Sequence, residues 1–243
     1  MERKPGLAKR GSIDKNAKVF HVVQRTTMKL PLFESDKAFN YWQTHLKALA
    51  LEHNVVLLCY VLMSNHYHIL LHSDNVRDIQ MVFRKVNTGL GQFIWTNVIR
   101  GTETERLFSE EFPYRLFSSS ARLFPVEGTV PLFIDTKYLF ENPKHHNSRT
   151  QGLYYPHSNF MTLYRGEFAK KDLPLFFNLY GMYPGQAMKL VMKPSPEFRE
   201  VLKGNARTMD PVKENLVFFH DPDRSPAETP EKIRENYMKL DIN

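Results

Sequence analysis

Two histidines separated by one residue, His66 and His68, stand in the run Tyr60-Val-Leu-Met-Ser-Asn-His-Tyr-His-Ile-Leu-Leu-His72. The run reads as a strand, a tight turn at Ser64-Asn65, and a second strand. Side chains alternate across a strand, so residues at i and i+2 share a face. His66 and His68 therefore point the same way, about 7 Å apart along the backbone. Tyr67, Ile69 and Leu71 point the other way and are apolar enough to anchor the strand in a core. Two imidazoles fixed side by side on a rigid sheet can hold one divalent metal with positions left open. Ordinary surface or core histidines have the same spacing, so the pair by itself leaves metal binding open.

The elements that must position this pair follow from periodicity. Residues 18 to 26 read as a strand and 35 to 53 as a helix, with Phe39, Trp42, Leu46, Leu49 and Leu51 as its apolar stripe. Residues 54 to 62 and 66 to 72 form the hairpin. Asp74 to Arg100 reads as one long helix, with Gly89 and Gly91 as weak points midway. Short strands are expected around Tyr114–Phe117 and Arg122–Phe124, and a helix over residues 131 to 142 that Pro143 stops. Strand, helix, hairpin, helix, strand predicts an α+β fold, an antiparallel sheet with helices on one face. Beyond residue 160, Asp172–Tyr183 and Gln186–Met192 read as short helices, Asp221–Pro230 as a loop and Glu231–Leu240 as a terminal helix.

Composition sets bounds. The chain has 243 residues, one domain or one domain with an extension. Its 33 Lys+Arg against 26 Asp+Glu give a formal net charge of +7, which suits an anionic partner. Cys59 is the single cysteine, so disulfide frameworks and cysteine-rich zinc sites within the chain are excluded. No stretch is long and apolar enough to span a membrane, and residues 1 to 16 read as a flexible basic arm rather than a signal peptide. A cytoplasmic, nucleoid-associated bacterial protein is expected.

The words around the histidines add more. Val61-Leu-Met-Ser-Asn-His-Tyr-His-Ile-Leu-Leu71 resembles the signature of the single-tyrosine HUH transposases (histidine, hydrophobic residue, histidine), closest to the REP-associated tyrosine transposase branch. Phe20-His-Val-Val-Gln-Arg-Thr26 is similar to that family's first strand. Lys137-Tyr-Leu-Phe-Glu-Asn-Pro143 is similar to its tyrosine helix, and Leu153-Tyr-Tyr-Pro-His-Ser-Asn-Phe160 to the segment closing its catalytic domain. The resemblance implies a ferredoxin-like or RRM-like catalytic domain over residues 17 to 160, followed by an extension, 161 to 243, without an assigned role. The chain departs from the family in Arg106-Leu-Phe-Ser-Glu-Glu-Phe-Pro-Tyr-Arg-Leu-Phe117, where a glycine-rich basic word is usual.

The resemblance also implies a chemistry: metal-dependent nicking and strand transfer on hairpin-bearing single-stranded DNA, through a 5′-phosphotyrosine intermediate. Tyr138 is the expected nucleophile. Asn142 lies four residues on, on the same helix face, and matches the family residue that completes the metal site with His66 and His68. Two imidazoles and an amide oxygen suit Mg²⁺ or Mn²⁺. Asn142, just before Pro143, is expected in the helix's last turn, where the dipole favours a cation. Arg25, Arg84, Lys85 and Arg115 are candidate DNA-phosphate contacts. The alternative is a domesticated relative that holds DNA hairpins without cutting. Both a monomer and a homodimer fit the sequence.

Overall fold

The structure, a computed structural model, describes residues 17–29, 36–100, 116–117, 120–146 and 152–206. The basic arm, Arg115, the acidic 106–115 word and everything after residue 206 lie outside the described residues.

Strand β1 (Val19–Arg25) leads through helix α1 (Asp36–Glu52) to β2 (Val56–Leu62), which turns at Ser64-Asn65 into β3 (His66–His72). Helix α2 (Val76–Ile94) returns the chain towards β4 (Arg122–Pro125). The strand order is β2-β3-β1-β4, and every neighbouring pair is antiparallel. This is the ferredoxin-like βαββαβ arrangement, with the histidine strand at the centre. The α+β fold follows from residue chemistry. β1, β2 and β3 are runs of Val, Leu, Ile and aromatic residues bounded by polar turns. Asn75 starts α2 by accepting a hydrogen bond from the Arg77 amide at 3.1 Å.

The two faces of the sheet are covered differently. On one face Phe20, Val22, Tyr67, Ile69 and Leu71 pack against Trp42 and Leu46 of α1 and Ile79, Val82, Phe83 and Val86 of α2. This is the expected pair of helices on one face. Gly89 faces α1, where a Cβ would meet the Tyr41 hydroxyl at 3.2 Å. Neither Gly89 nor Gly91 breaks α2, which passes into a single π-helical stretch at Trp95–Ile99.

The opposite face carries Val19, Val61 and Leu70 and is roofed by α3 (Thr129–His146). Behind α3 lie α4 (Phe160–Tyr164), α5 (Leu173–Tyr180), α6 (Pro184–Val191) and α7 (Ser195–Ala206). Leu139, Phe140, Phe160, Phe176, Tyr180, Met188 and Val191 share one core with Cys59 and Leu70 of the sheet. The residues after 160 are thus a second layer on the sheet.

One expectation is corrected. Pro143 does not stop its helix; α3 continues to His146. Proline in a helix interior costs about 3 kcal/mol because it removes one hydrogen bond and crowds the preceding turn. The turn before the proline is anchored by Leu139, Phe140 and Asn142, all fully or almost fully buried. Asn142 therefore sits a turn before the helix end, and the dipole argument for that residue weakens accordingly.

Candidate active site

The β1–β3 register sets the site floor. Arg25 lies opposite His66, Val23 opposite His68, and His21 opposite Leu70. Paired residues in an antiparallel sheet point to the same face, so His21, Arg25, His66 and His68 all face α3. From that helix Asp135, Tyr138 and Asn142, spaced three and four residues apart, descend onto the histidines along one stripe.

The contacts are direct. Asn142 Oδ1 lies 3.1 Å from His66 Nε2, and Asn142 Nδ2 donates to the Tyr138 hydroxyl at 3.3 Å. The His68 and Tyr138 rings stand edge to face with centroids 5.7 Å apart. The His66 and His68 centroids are 5.2 Å apart at 82°. His66, His68 and Asn142 are 1%, 2% and 0% exposed, so their polar atoms depend on one another rather than on bulk water.

The hairpin turn fixes His66. Asn65 Nδ2 donates to the Lys29 carbonyl at 3.0 Å, which leaves Asn65 Oδ1 facing His66 Nδ1 at 2.6 Å. An amide oxygen only accepts, so Nδ1 carries the proton and a neutral His66 presents its Nε2 lone pair to Asn142 Oδ1. Two lone pairs 3.1 Å apart repel unless a second ring proton or a cation lies between them. A small hard cation with ligands at about 2.1 Å sets neighbouring ligand atoms about 3 Å apart. His66, His68 and the Asn142 amide oxygen are therefore the residues that could hold such an ion. Among the described residues no three His, Cys, Asp or Glu side chains gather as a metal cluster, so this donor set depends on the amide.

Two residues of the site were missed as site residues in the sequence. His21 Nε2 lies 2.9 Å from His68 Nδ1, and His21 Nδ1 lies 3.5 Å from Asp135 Oδ2. Burial pushes the Asp135 carboxyl above the ordinary carboxylate range, and neighbouring His21 opposes the rise. His21 shares the Arg25 face by simple alternation, and Asp135 precedes Tyr138 by one helical turn. Those were the available signals.

The other candidates are placed as follows. Arg25 lies on the site face with Nε and Nη2 buried. Arg84 and Lys85 lie on α2, across the sheet from His66 and His68, and Lys85 pairs with Glu52 at 2.6 Å. Tyr67 points into the opposite core, its hydroxyl 3.0 Å from both Gln24 and Asn87. Tyr154 packs on Phe160 and Tyr155 on His157, outside the site.

No protein-family model matches the chain, and no curated protein matches it. Among solved structures it is similar to a REP-associated tyrosine transposase bound to a REP hairpin, at 14% identity and a TM-score of 0.49 over 68% of this chain and 89% of that one. It is also similar to a candidate transposase from Deinococcus radiodurans R1, at 13% identity and a TM-score of 0.35 over 55% of this chain and 92% of that one.

Proposed function

We infer that this chain is a transposase-like, metal-assisted nickase and strand transferase of single-stranded DNA, with Tyr138 as nucleophile. The observation that carries the reading is the Asn142 amide, which meets a sheet histidine at one end and the helix phenol at the other. A core asparagine satisfying its own helix would not need both.

Mg²⁺ or Mn²⁺ would be held by His66, His68 and Asn142, and when bound would neutralise a phosphate oxygen and polarise phosphorus. The Tyr138 oxygen attacks phosphorus, the bond from phosphorus to the departing 3′-oxygen breaks, and a 5′-phosphotyrosine forms. The phenol proton leaves to water, and the departing oxygen takes up a proton as the free 3′-hydroxyl. The bond energy stays in the phosphotyrosine, so a 3′-hydroxyl can reverse the step without a nucleotide cofactor. Asn142 Nδ2 supports the nucleophile by donating to the phenol oxygen, which stabilises the phenolate left when its proton departs. Arg25, beside His66 in the sheet register, is suited to hold the scissile strand by its backbone. Hairpin-bearing single-stranded DNA as substrate is supported by the sequence resemblance and by the net charge of +7.

The test is a denaturing gel of the protein incubated with end-labelled single-stranded DNA from the flanks of its own gene. A slow-migrating covalent species is expected with Mg²⁺ or Mn²⁺, and none in Tyr138→Phe, His66→Ala or His68→Ala. Adduct surviving in Tyr138→Phe would move the nucleophile elsewhere. Hairpin binding that needs no metal, with no adduct under any condition, would favour the non-cleaving hairpin binder.

A further inference from the structure

Asp135 and His21 form a buried line leading to His68. Asp135 Oδ2 lies 3.5 Å from His21 Nδ1, and His21 Nε2 lies 2.9 Å from His68 Nδ1. His21 is fully buried, and Asp135 and His68 are 8% and 2% exposed. Water is therefore poorly placed to substitute for any member of the line. His66 has a different device for the same purpose, the Asn65 amide on its Nδ1. The two histidines sit on one strand, and each has its Nδ1 engaged by a protein group.

We propose that Asp135 and His21 are positioning residues that keep the proton of His68 on Nδ1, so that its Nε2 lone pair is presented on the same side as that of His66. With Asp135 ionised, its charge 3.5 Å from His21 Nδ1 favours the proton at that nitrogen. His21 Nε2 then becomes an acceptor, and His68 must donate from Nδ1 across the 2.9 Å contact. The opposite arrangement, with His21 donating from Nε2, would put the His68 proton on Nε2 and cancel one ligand. Partners of this kind behind a ligand histidine fix its tautomer and ring orientation. The placement is tertiary: His21 reaches His68 diagonally across the β1–β3 ladder, and Asp135 reaches down from α3. The inference rests on the metal-assisted reading above, and its test separates the two.

The decisive measurement is the tautomer of His68 in the metal-free full-length protein, read from its ring nitrogens by long-range ¹H–¹⁵N correlation, together with Mn²⁺ affinity by calorimetry and the melting temperature. In the wild type His68 is expected as the Nδ1–H form. Asp135→Asn, whose amide can donate to His21, is expected to shift His68 towards the Nε2–H form and to weaken Mn²⁺ binding by about 10–100-fold. His21→Phe, which removes the acceptor, is expected to weaken Mn²⁺ binding in the same range. A wild-type His68 protonated on Nε2 would overturn the proposal without any variant. A lower melting temperature in Asp135→Asn with tautomer and Mn²⁺ affinity unchanged would also overturn it, reducing Asp135 to a packing role. A wild type that binds no Mn²⁺ would defeat the metal-assisted reading, while the tautomer would still decide the relay.

Discussion

At the scale of single residues, Asn142 does two jobs that substitution can separate. Asn142→Asp keeps an oxygen for a cation but loses the N–H that supports Tyr138. It is expected to retain Mn²⁺ binding while the single-turnover cleavage rate falls, because the phenolate loses its donor and gains a carboxylate neighbour whose charge opposes ionisation of the tyrosine. Asn142→Ala is expected to lose both. Equal Mn²⁺ affinity in Asn142→Ala and wild type would remove Asn142 from the ligand set. Cys59 illustrates a buried group without chemistry. The Thr136 hydroxyl donates to the Leu132 carbonyl at 2.7 Å, so Tyr180 donates to Thr136 at 2.8 Å and the Cys59 thiol donates to Tyr180 at 3.6 Å. Burial pushes this thiol up to about 12. A disulfide-exchange reagent at pH 8 is expected to leave Cys59 unmodified in native protein and to react fully in denaturant.

At the scale of elements, one lysine ties the tyrosine helix to the layer behind it. Lys137 Nζ donates to the Val191 and Lys193 carbonyls at the end of α6, at 2.8 and 2.9 Å, and pairs with Glu141 at 3.0 Å. Its ammonium also lies 5.1 Å from the centre of the Phe198 ring. Lys137→Met keeps the stem but strands these acceptors, and is expected to cost about 1–3 kcal/mol in urea unfolding. Because Lys137 faces away from the histidines while Tyr138 faces them, adduct formation per folded molecule should survive the change. How much of this was legible in the sequence depended on the kind of information each feature needs. β1, the hairpin and α1 follow from local alternation and helical spacing, and the His66–His68 geometry follows from the strand alone. The end of α3 was misjudged because a proline is a local signal, whereas the anchoring of the turn before it is tertiary. His21 and Asp135 join the site only once the strand register and the descent of α3 are known, and neither is encoded in spacing within one segment. The short helices after residue 160 were legible as helices, but not that they pack behind α3, since short apolar helices do not announce what they cover.

At the scale of the whole molecule, α3 joins the sheet on one side and the helices after residue 160 on the other in a single packed core. A chain ended at Asn159 would uncover Cys59, which touches the Tyr180 hydroxyl, and Phe140, which packs on Phe160, both now fully or almost fully buried. It is expected to bind a hydrophobic dye and lose cooperative unfolding, whereas a self-sufficient domain over 17 to 160 would melt sharply. Alkaline behaviour belongs to this scale too. Burial raises Cys59 from 9.0, and Tyr60 and Tyr155 from 10.0, each to about 12. Between those values the unfolded chain releases protons that the folded chain retains, so their contribution is full below pH 9 and is lost as pH rises through 12. The urea midpoint should stay level from pH 7 to 9 and fall steeply above pH 10. Finally, the free side of β2 is already occupied by the chain itself. Asn159 satisfies the Tyr60 amide at 2.8 Å and the Leu58 carbonyl at 3.1 Å, and the Leu62 amide donates to the His157 carbonyl at 2.9 Å. A bare rim would invite another molecule to extend the ladder. This self-made selvedge denies that invitation between Leu58 and Leu62, the stretch of β2 nearest the histidine turn.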